Sequence, residues 1–91
     1  GQIQRFRPRY WKYLYMQQQS RLHGEECRWK AEIAEAGDAW VSAYLPEVQI
    51  TLRCRRQMFG DDVFPGKAYR VRLAKIDALR AEAHIVGAVA D

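Results

Sequence analysis

The side chains that could carry covalent chemistry are few and badly spaced for it. His23 and His84 stand alone. Cys27 and Cys54 have no close-spaced partner, so neither a Cys-x-x-Cys pair nor a Cys/His quartet exists to hold a structural metal. The pair could close one disulfide. Each falls inside an apolar alternating run, however, and two buried free thiols in a reducing compartment are the preferred reading. The adjacent acids Asp61 and Asp62 could hold a divalent ion, but they follow Gly60 in a turn, where solvated carboxylates are ordinary. No Ser-His-Asp set and no Cys-His pair is in evidence. The chain is therefore read as non-catalytic, with no cofactor or metal of its own.

Aromatic and basic residues offer more. Lys67–Ile85 reads as two alternating runs that meet near Asp77, Ala78 and Leu79. Its first run sets Arg70, Arg72 and Lys75 against the apolar Val71, Leu73 and Ile76. Such a hairpin has an apolar inner face and a basic outer one. Further upstream, Trp40 and Tyr44 oppose Val41, Ala43 and Leu45, while Arg53 and Arg55 fall on outward positions of the next run. Exposed rings that stack on bases, interleaved with guanidinium groups that meet phosphates, are the means by which single strands are bound without sequence readout. Stacking contributes about 1–3 kcal/mol per base. Trp40 has a second reading, as a ring covered by the N-terminal helix.

The elements that must position these residues follow from period and punctuation. Tyr10–Leu22 is predicted as a helix closed by Gly24, with Tyr10, Tyr13 and Leu14 on one face and Trp11 and Tyr15 alongside. So many rings imply that the helix packs on the domain beside it or on a neighbour. Residues 25–36 alternate with Cys27, Trp29, Ala31 and Ile33 inward. Gly37-Asp38 turns the chain into a second strand, 39–45, and Val48–Cys54 makes a third. Arg55–Phe59 could form one helical turn. Lys67–Ile76 and Leu79–Val86 are strands four and five, and 87–91 is a small-residue tail. The inward series Val71, Leu73, Ile76 slips in phase at Ala74–Lys75, which predicts a bulge of the kind that bends a strand round a barrel corner. The expected fold is all-β with an N-terminal helix, a five-stranded antiparallel OB-fold barrel. An SH3-like barrel is the nearest competitor, and the long connection after strand three favours the OB-fold.

Size and charge agree with a single small binding domain. A chain of 91 residues supports one core. A hydrophobic content of 48% with 29% charged residues excludes a disordered composition. No apolar run approaches the ~20 residues of a membrane span, and no signal-peptide pattern opens the chain, so the cytoplasm is expected. The net charge of +4 is unevenly spread. Residues 1–30 carry seven Lys or Arg against Glu25 and Glu26, 31–52 carry only acids, and 53–80 carry eight Lys or Arg against Asp61, Asp62 and Asp77. Basic blocks flanking an acidic one favour a polyanion partner, although a merely solvated surface has the same signature.

From Arg9 onward the chain resembles the C-terminal end of the ribonuclease II (RNB-domain) family of 3′-to-5′ exoribonucleases. Arg9-Tyr10-Trp11 with Tyr13-Leu14 looks like the helix that closes the catalytic domain. Ala36-Gly37-Asp38-Ala39-Trp40-Val41, then Pro65-Gly66 and Val71-x-Leu73-x-x-Ile76-Asp77, look like the family's S-one RNA-binding domain, an OB-fold. The resemblance implies a linker over 1–9, a helix over 10–24 that ends a catalytic domain, and an RNA-binding barrel over 25–91. It implies that the catalytic carboxylates and their Mg2+ lie upstream, and that Asp77 and Arg80 stand near the Asp and Arg of the closing turn. Two departures weaken the stacking platform. Gly37 replaces the first aromatic of the second-strand motif, and Arg53–Arg56 occupy the place of a histidine.

The resulting expectation is a module that holds single-stranded RNA for an upstream catalytic domain, which it also contacts. Trp40 and Tyr44 would stack, and Arg53, Arg55, Arg70, Arg72, Lys75 and Arg80 would hold phosphates. The competing expectation is a degenerate OB-fold serving as a protein-docking or structural cap.

Overall fold

The structure, a computed structural model, describes residues 8–91. Residues 1–7 of the expected 1–9 linker lie outside the described residues. Helix α1 spans Pro8–His23, and so takes Pro8 and Arg9 from that linker. Proline fits a first helical turn because its missing N–H would have had no partner there. The helix ends where Gly24, at φ +59°, donates its N–H to the Ser20 carbonyl.

Five strands follow: β1 Trp29–Ala36, β2 Trp40–Leu45, β3 Ile50–Arg55, β4 Ala68–Asp77 and β5 Glu82–Ala90. All pair antiparallel in the order β3-β2-β1-β4-β5, and β5 comes round against β3 to leave a nearly closed barrel. This is an OB-like fold with an N-terminal helix. The predicted alternation is real. Trp29, Ala31 and Ile33 of β1, Val41, Ala43 and Leu45 of β2, and Ile50, Leu52 and Cys54 of β3 all point into the core. Tyr69, Val71 and Leu73 of β4 and Ile85 of β5 complete it, and no polar or charged residue is buried among the described residues.

The bulge expected in β4 is present. Its register with β5 shifts between Ala74 and Asp77, and Lys75 adopts φ +53°. A second shift lies between Arg72 and Leu73, so one long strand bends enough to pair with β1 at its start and with β5 along its length.

Several boundaries differ from expectation. Residues 25–28 are not strand; the Glu26 N–H returns to the His23 carbonyl in the turn that leaves α1. After β3 the chain makes only a short 3-10 turn, Arg56–Met58. Strand five begins three residues later than predicted and takes in most of the supposed tail, because Tyr69, Arg70, Val71 and Arg72 pair with Ala90, Val89, Ala88 and Gly87. The hairpin turn is held by the Asp77 carboxylate, whose Oδ1 accepts the N–H groups of Leu79 (3.0 Å) and Arg80 (3.1 Å).

Helix α1 lies against β4 and closes one end of the barrel. Tyr13 and Met16 enter the same core as the strands. Polar contacts fix the helix in place. Ser20 Oγ accepts the Trp29 indole N–H at 3.1 Å, and the Gln17 carboxamide donates to the Ile76 carbonyl at 3.2 Å. Tyr15 donates to Glu47, which also receives Arg28 at 2.6 Å.

Candidate nucleic-acid interface

The face in question is the outer surface of β2 and β3. The hairpin before it is tight: the Gly37 N–H donates to the Trp40 carbonyl at 2.8 Å. A Cβ at position 37 would stand 3.1 Å from that carbonyl oxygen, closer than a side chain tolerates without movement. The glycine that displaces an expected aromatic is thus favoured by the tight turn. Pairing then sets Trp40 opposite Arg55 and Ser42 opposite Arg53. Side chains alternate along a strand, so Trp40, Arg53 and Arg55 emerge on one face.

Trp40 is 42% exposed, and α1 does not cover it. The helix contacts reach the start of β1, the end of β4 and Glu47 after β2, whereas Trp40 opens β2 at its other end. The covering partners are instead the two arginines. The Arg55 guanidinium carbon lies 4.9 Å from the indole centroid and that of Arg53 lies 5.0 Å away. Neither arginine has an ion-pair partner among the described residues. Contacts of this kind at an exposed ring are worth about 0.5–1 kcal/mol each, weak enough for an incoming base to displace.

A shallow groove of about 250 Å³ runs from this cluster to β5, lined by Trp40, Arg53, Arg55, Gln57 and, across the seam, His84 and Ile85. His84 is an addition to the expected set. Its place in the groove depends on how β5 closes on β3, which local sequence does not encode. Arg56 is a second neighbour, occupied in structure: it donates to the carbonyls of Gly37 (2.9 Å) and Asp61 (3.3 Å).

The other predicted residues are dispersed. Tyr44 shares Trp40's face but lies four residues along β2, about 13 Å away at the usual strand rise, half-buried between Glu32 and Thr51. Arg70 and Arg72 are on β4, with β1 between them and β2. Arg70 is engaged, 3.5 Å from the Asp91 carboxylate and 3.3 Å from the Arg28 carbonyl. Arg80, in the hairpin turn, pairs with Asp77 at 3.9 Å. Lys75 projects from the β4 bulge, exposed. The structure therefore gathers Trp40, Arg53 and Arg55, leaves Tyr44 on their flank, and puts the rest elsewhere.

Burial pushes the Cys54 thiol up to about 11, away from a reactive thiolate. Cys27 and Cys54 are both free thiols. Among the described residues no three His, Cys, Asp or Glu side chains are gathered where they could hold a metal ion, and no helix is long and apolar enough to cross a membrane. By fold the chain is an OB-like barrel, and its β2–β3 face carries an exposed tryptophan with two arginines beside its ring. Comparison with family models, curated proteins and solved structures found no match.

Proposed function

We propose that this chain is a non-catalytic, single-stranded RNA-binding module of the OB type. One observation carries the reading: Trp40 is exposed on β2 with the guanidinium groups of Arg53 and Arg55 about 5 Å from its ring and, among the described residues, without acidic partners. The ring offers a stacking surface and the arginines offer charge for the adjoining phosphates. The strand-two and strand-three face is also where OB-folds bind oligonucleotides. The resemblance to the ribonuclease II family extends the proposal. In it the module is cytoplasmic and holds RNA for a 3′-to-5′ exoribonuclease domain upstream, to which the Mg2+ and the hydrolytic step belong.

The test is a titration of short single-stranded RNA at two salt concentrations. Each phosphate contact on a single strand contributes about 0.7 to the slope of log affinity against log salt. Replacing Arg53 and Arg55 by Gln is expected to lower that slope by about 1.4. Absence of binding at low salt, or a slope indifferent to both substitutions, refutes the reading.

A protein-docking role is the second reading, and it too rests on an observation. Helix α1 exposes Trp11 (57%) and Leu22 (76%) while its inner face is committed to the barrel. Under that reading an upstream domain protects the outer face of α1 from amide exchange, and added RNA leaves the β2–β3 amide resonances unmoved.

A further inference from the structure

A second groove, of about 490 Å³, lies between the C-terminal half of α1 and the bent part of β4. Gln17, Arg21 and Glu25 form one wall, and Arg72, Lys75 and Ile76 the other. Its charge is three cations against one acid. Four cations elsewhere on the barrel have acidic partners: Arg28 has Glu47, Lys67 has Asp62, Arg70 has Asp91 and Arg80 has Asp77; Lys30, Arg53, Arg55 and Arg56 have none among the described residues. Arg21, Arg72 and Lys75 have neither an ion pair nor a side-chain hydrogen bond among the described residues. Like charges drawn to one groove repel unless an anion lies between them.

The backbone supplies an independent observation. Lys75 holds φ +53°, a conformation that glycine adopts without penalty and a side chain does not. Bulges re-aim side chains, and non-glycine residues kept in strained conformations gather at ligand sites. Both walls are also fixed relative to each other, since Gln17 donates to the Ile76 carbonyl across the groove floor. The groove lies at the end of the barrel that α1 closes. Trp40 stands at the opposite end of β2, and the two grooves adjoin across β5, since His84 and Ile85, which line the Trp40 groove, pair with Ala74 and Leu73 of this one.

We propose that this groove is a second anion site, across β5 from the Trp40 groove, that takes phosphodiester groups of an RNA strand through Arg21, Arg72 and Lys75. The identity of the ligand rests on the RNA-binding reading; the location of the site does not. An RNA long enough to span both sites gains by linkage over one that reaches a single site.

The experiment uses the whole chain with Arg21→Gln, Arg72→Gln and Lys75→Gln combined, and separately with Lys75→Gly, which relieves the strained backbone and so preserves folding. The probes are inorganic tripolyphosphate and single-stranded RNAs of about 4 and about 16 nucleotides, the range of OB-fold site sizes. Expected are amide shifts at Gly24 and residues 72–76 on adding tripolyphosphate or the longer RNA, lost in the triple variant. The longer RNA binds the triple variant at least about tenfold more weakly, with a salt slope lower by about 2 for three lost contacts. The shorter RNA keeps its Trp40-dependent binding. Unmoved amides with both probes overturn the proposal, and so does a triple variant that binds the longer RNA like the parent. Shifts with tripolyphosphate alone overturn RNA as the ligand. Failure of the Trp40 site shows separately, as short-RNA binding that ignores Trp40→Ala.

Discussion

Met16→Ala is the most direct test of whether α1 belongs to the barrel. Met16 is completely buried and sits with Tyr13 in the cluster that holds Trp29, Leu45 and Val71. Truncating a buried methionine to alanine costs about 2–5 kcal/mol, the transfer loss plus the cavity left behind. Domains of this size have about 5–15 kcal/mol in total. One substitution on the helix should therefore remove a large share of the barrel's stability. The assay is urea unfolding followed in parallel by helix ellipticity and by tryptophan fluorescence. Both signals should move together to a lower midpoint, with a drop in melting temperature of at least about 8 °C. Leu22→Ala, on the same helix but 76% exposed, is the control and should stay within about 0.5 kcal/mol. A helix signal that melts ahead of an unchanged fluorescence transition, or a loss below about 1 kcal/mol, would mean that α1 is an appendage.

Further outcomes follow from particular contacts. Trp40→Ala should weaken single-stranded RNA binding by about 1–3 kcal/mol, read by fluorescence anisotropy, while Trp40→Phe keeps most of the affinity; equal affinity for all three proteins removes the ring from the site. The Arg28 guanidinium holds the Glu47 carboxyl below its ordinary value. A carboxyl depressed in the fold stabilises it fully above the unfolded-state value near 4.5 and loses that effect as pH falls through the lower folded value. Glu47→Gln should therefore flatten the acid limb of the stability profile, by less than about 1 kcal/mol because the pair is partly solvated; an unchanged limb refutes the assignment. With its thiol pushed up to about 11, Cys54 has about one thousandth of its population as thiolate at pH 8, and mass spectrometry after native alkylation should find Cys27 labelled first. Ala81, at φ +55° in the β4–β5 turn, carries a left-handed penalty of about 1–2 kcal/mol, so Ala81→Gly should raise the melting temperature, and a fall would show the strain to be absent.

What the sequence made legible was the part of the fold set by local period. Trp29 to Ile33, Val41 to Leu45 and Ile50 to Cys54 declare their inner faces by alternation, and the β4 bulge declares itself by a slip in that alternation. The end of the chain was misjudged for a physical reason. Leu79 reads as the apolar start of a strand, yet it is an 81%-exposed hairpin tip, and Gly87, Ala88 and Ala90 have poor strand propensity of their own. They are strand because backbone groups of β4 pair with them, a long-range fact. On α1 the expected face is the buried one, since Tyr13 enters the core; Met16, one turn further along, completes it and was not singled out by the sequence, because how far round the helix the buried stripe extends depends on the angle at which it docks.

The candidate site was legible in residue type but not in grouping, and charge pairing explains why. On the sequence alone Arg53, Arg55, Arg70, Arg72, Lys75 and Arg80 are equivalent outward cations. The fold divides them. Arg70 and Arg80 meet Asp91 and Asp77, so binding a phosphate there must first break an existing contact. Arg53 and Arg55 rest on an indole, a neutral partner that a base replaces with another ring. Arg72 and Lys75 face Arg21 across a groove whose only acid is Glu25. Surface ion pairs contribute little to stability, but they decide which cations remain available to a polyanion. Neutralising Arg70 and Arg80 together should thus change the salt slope of RNA binding by far less than the ~1.4 expected for Arg53 and Arg55. An equal change would mean that the pairs open freely in solution, and that all six cations act as one diffuse field rather than as two built sites.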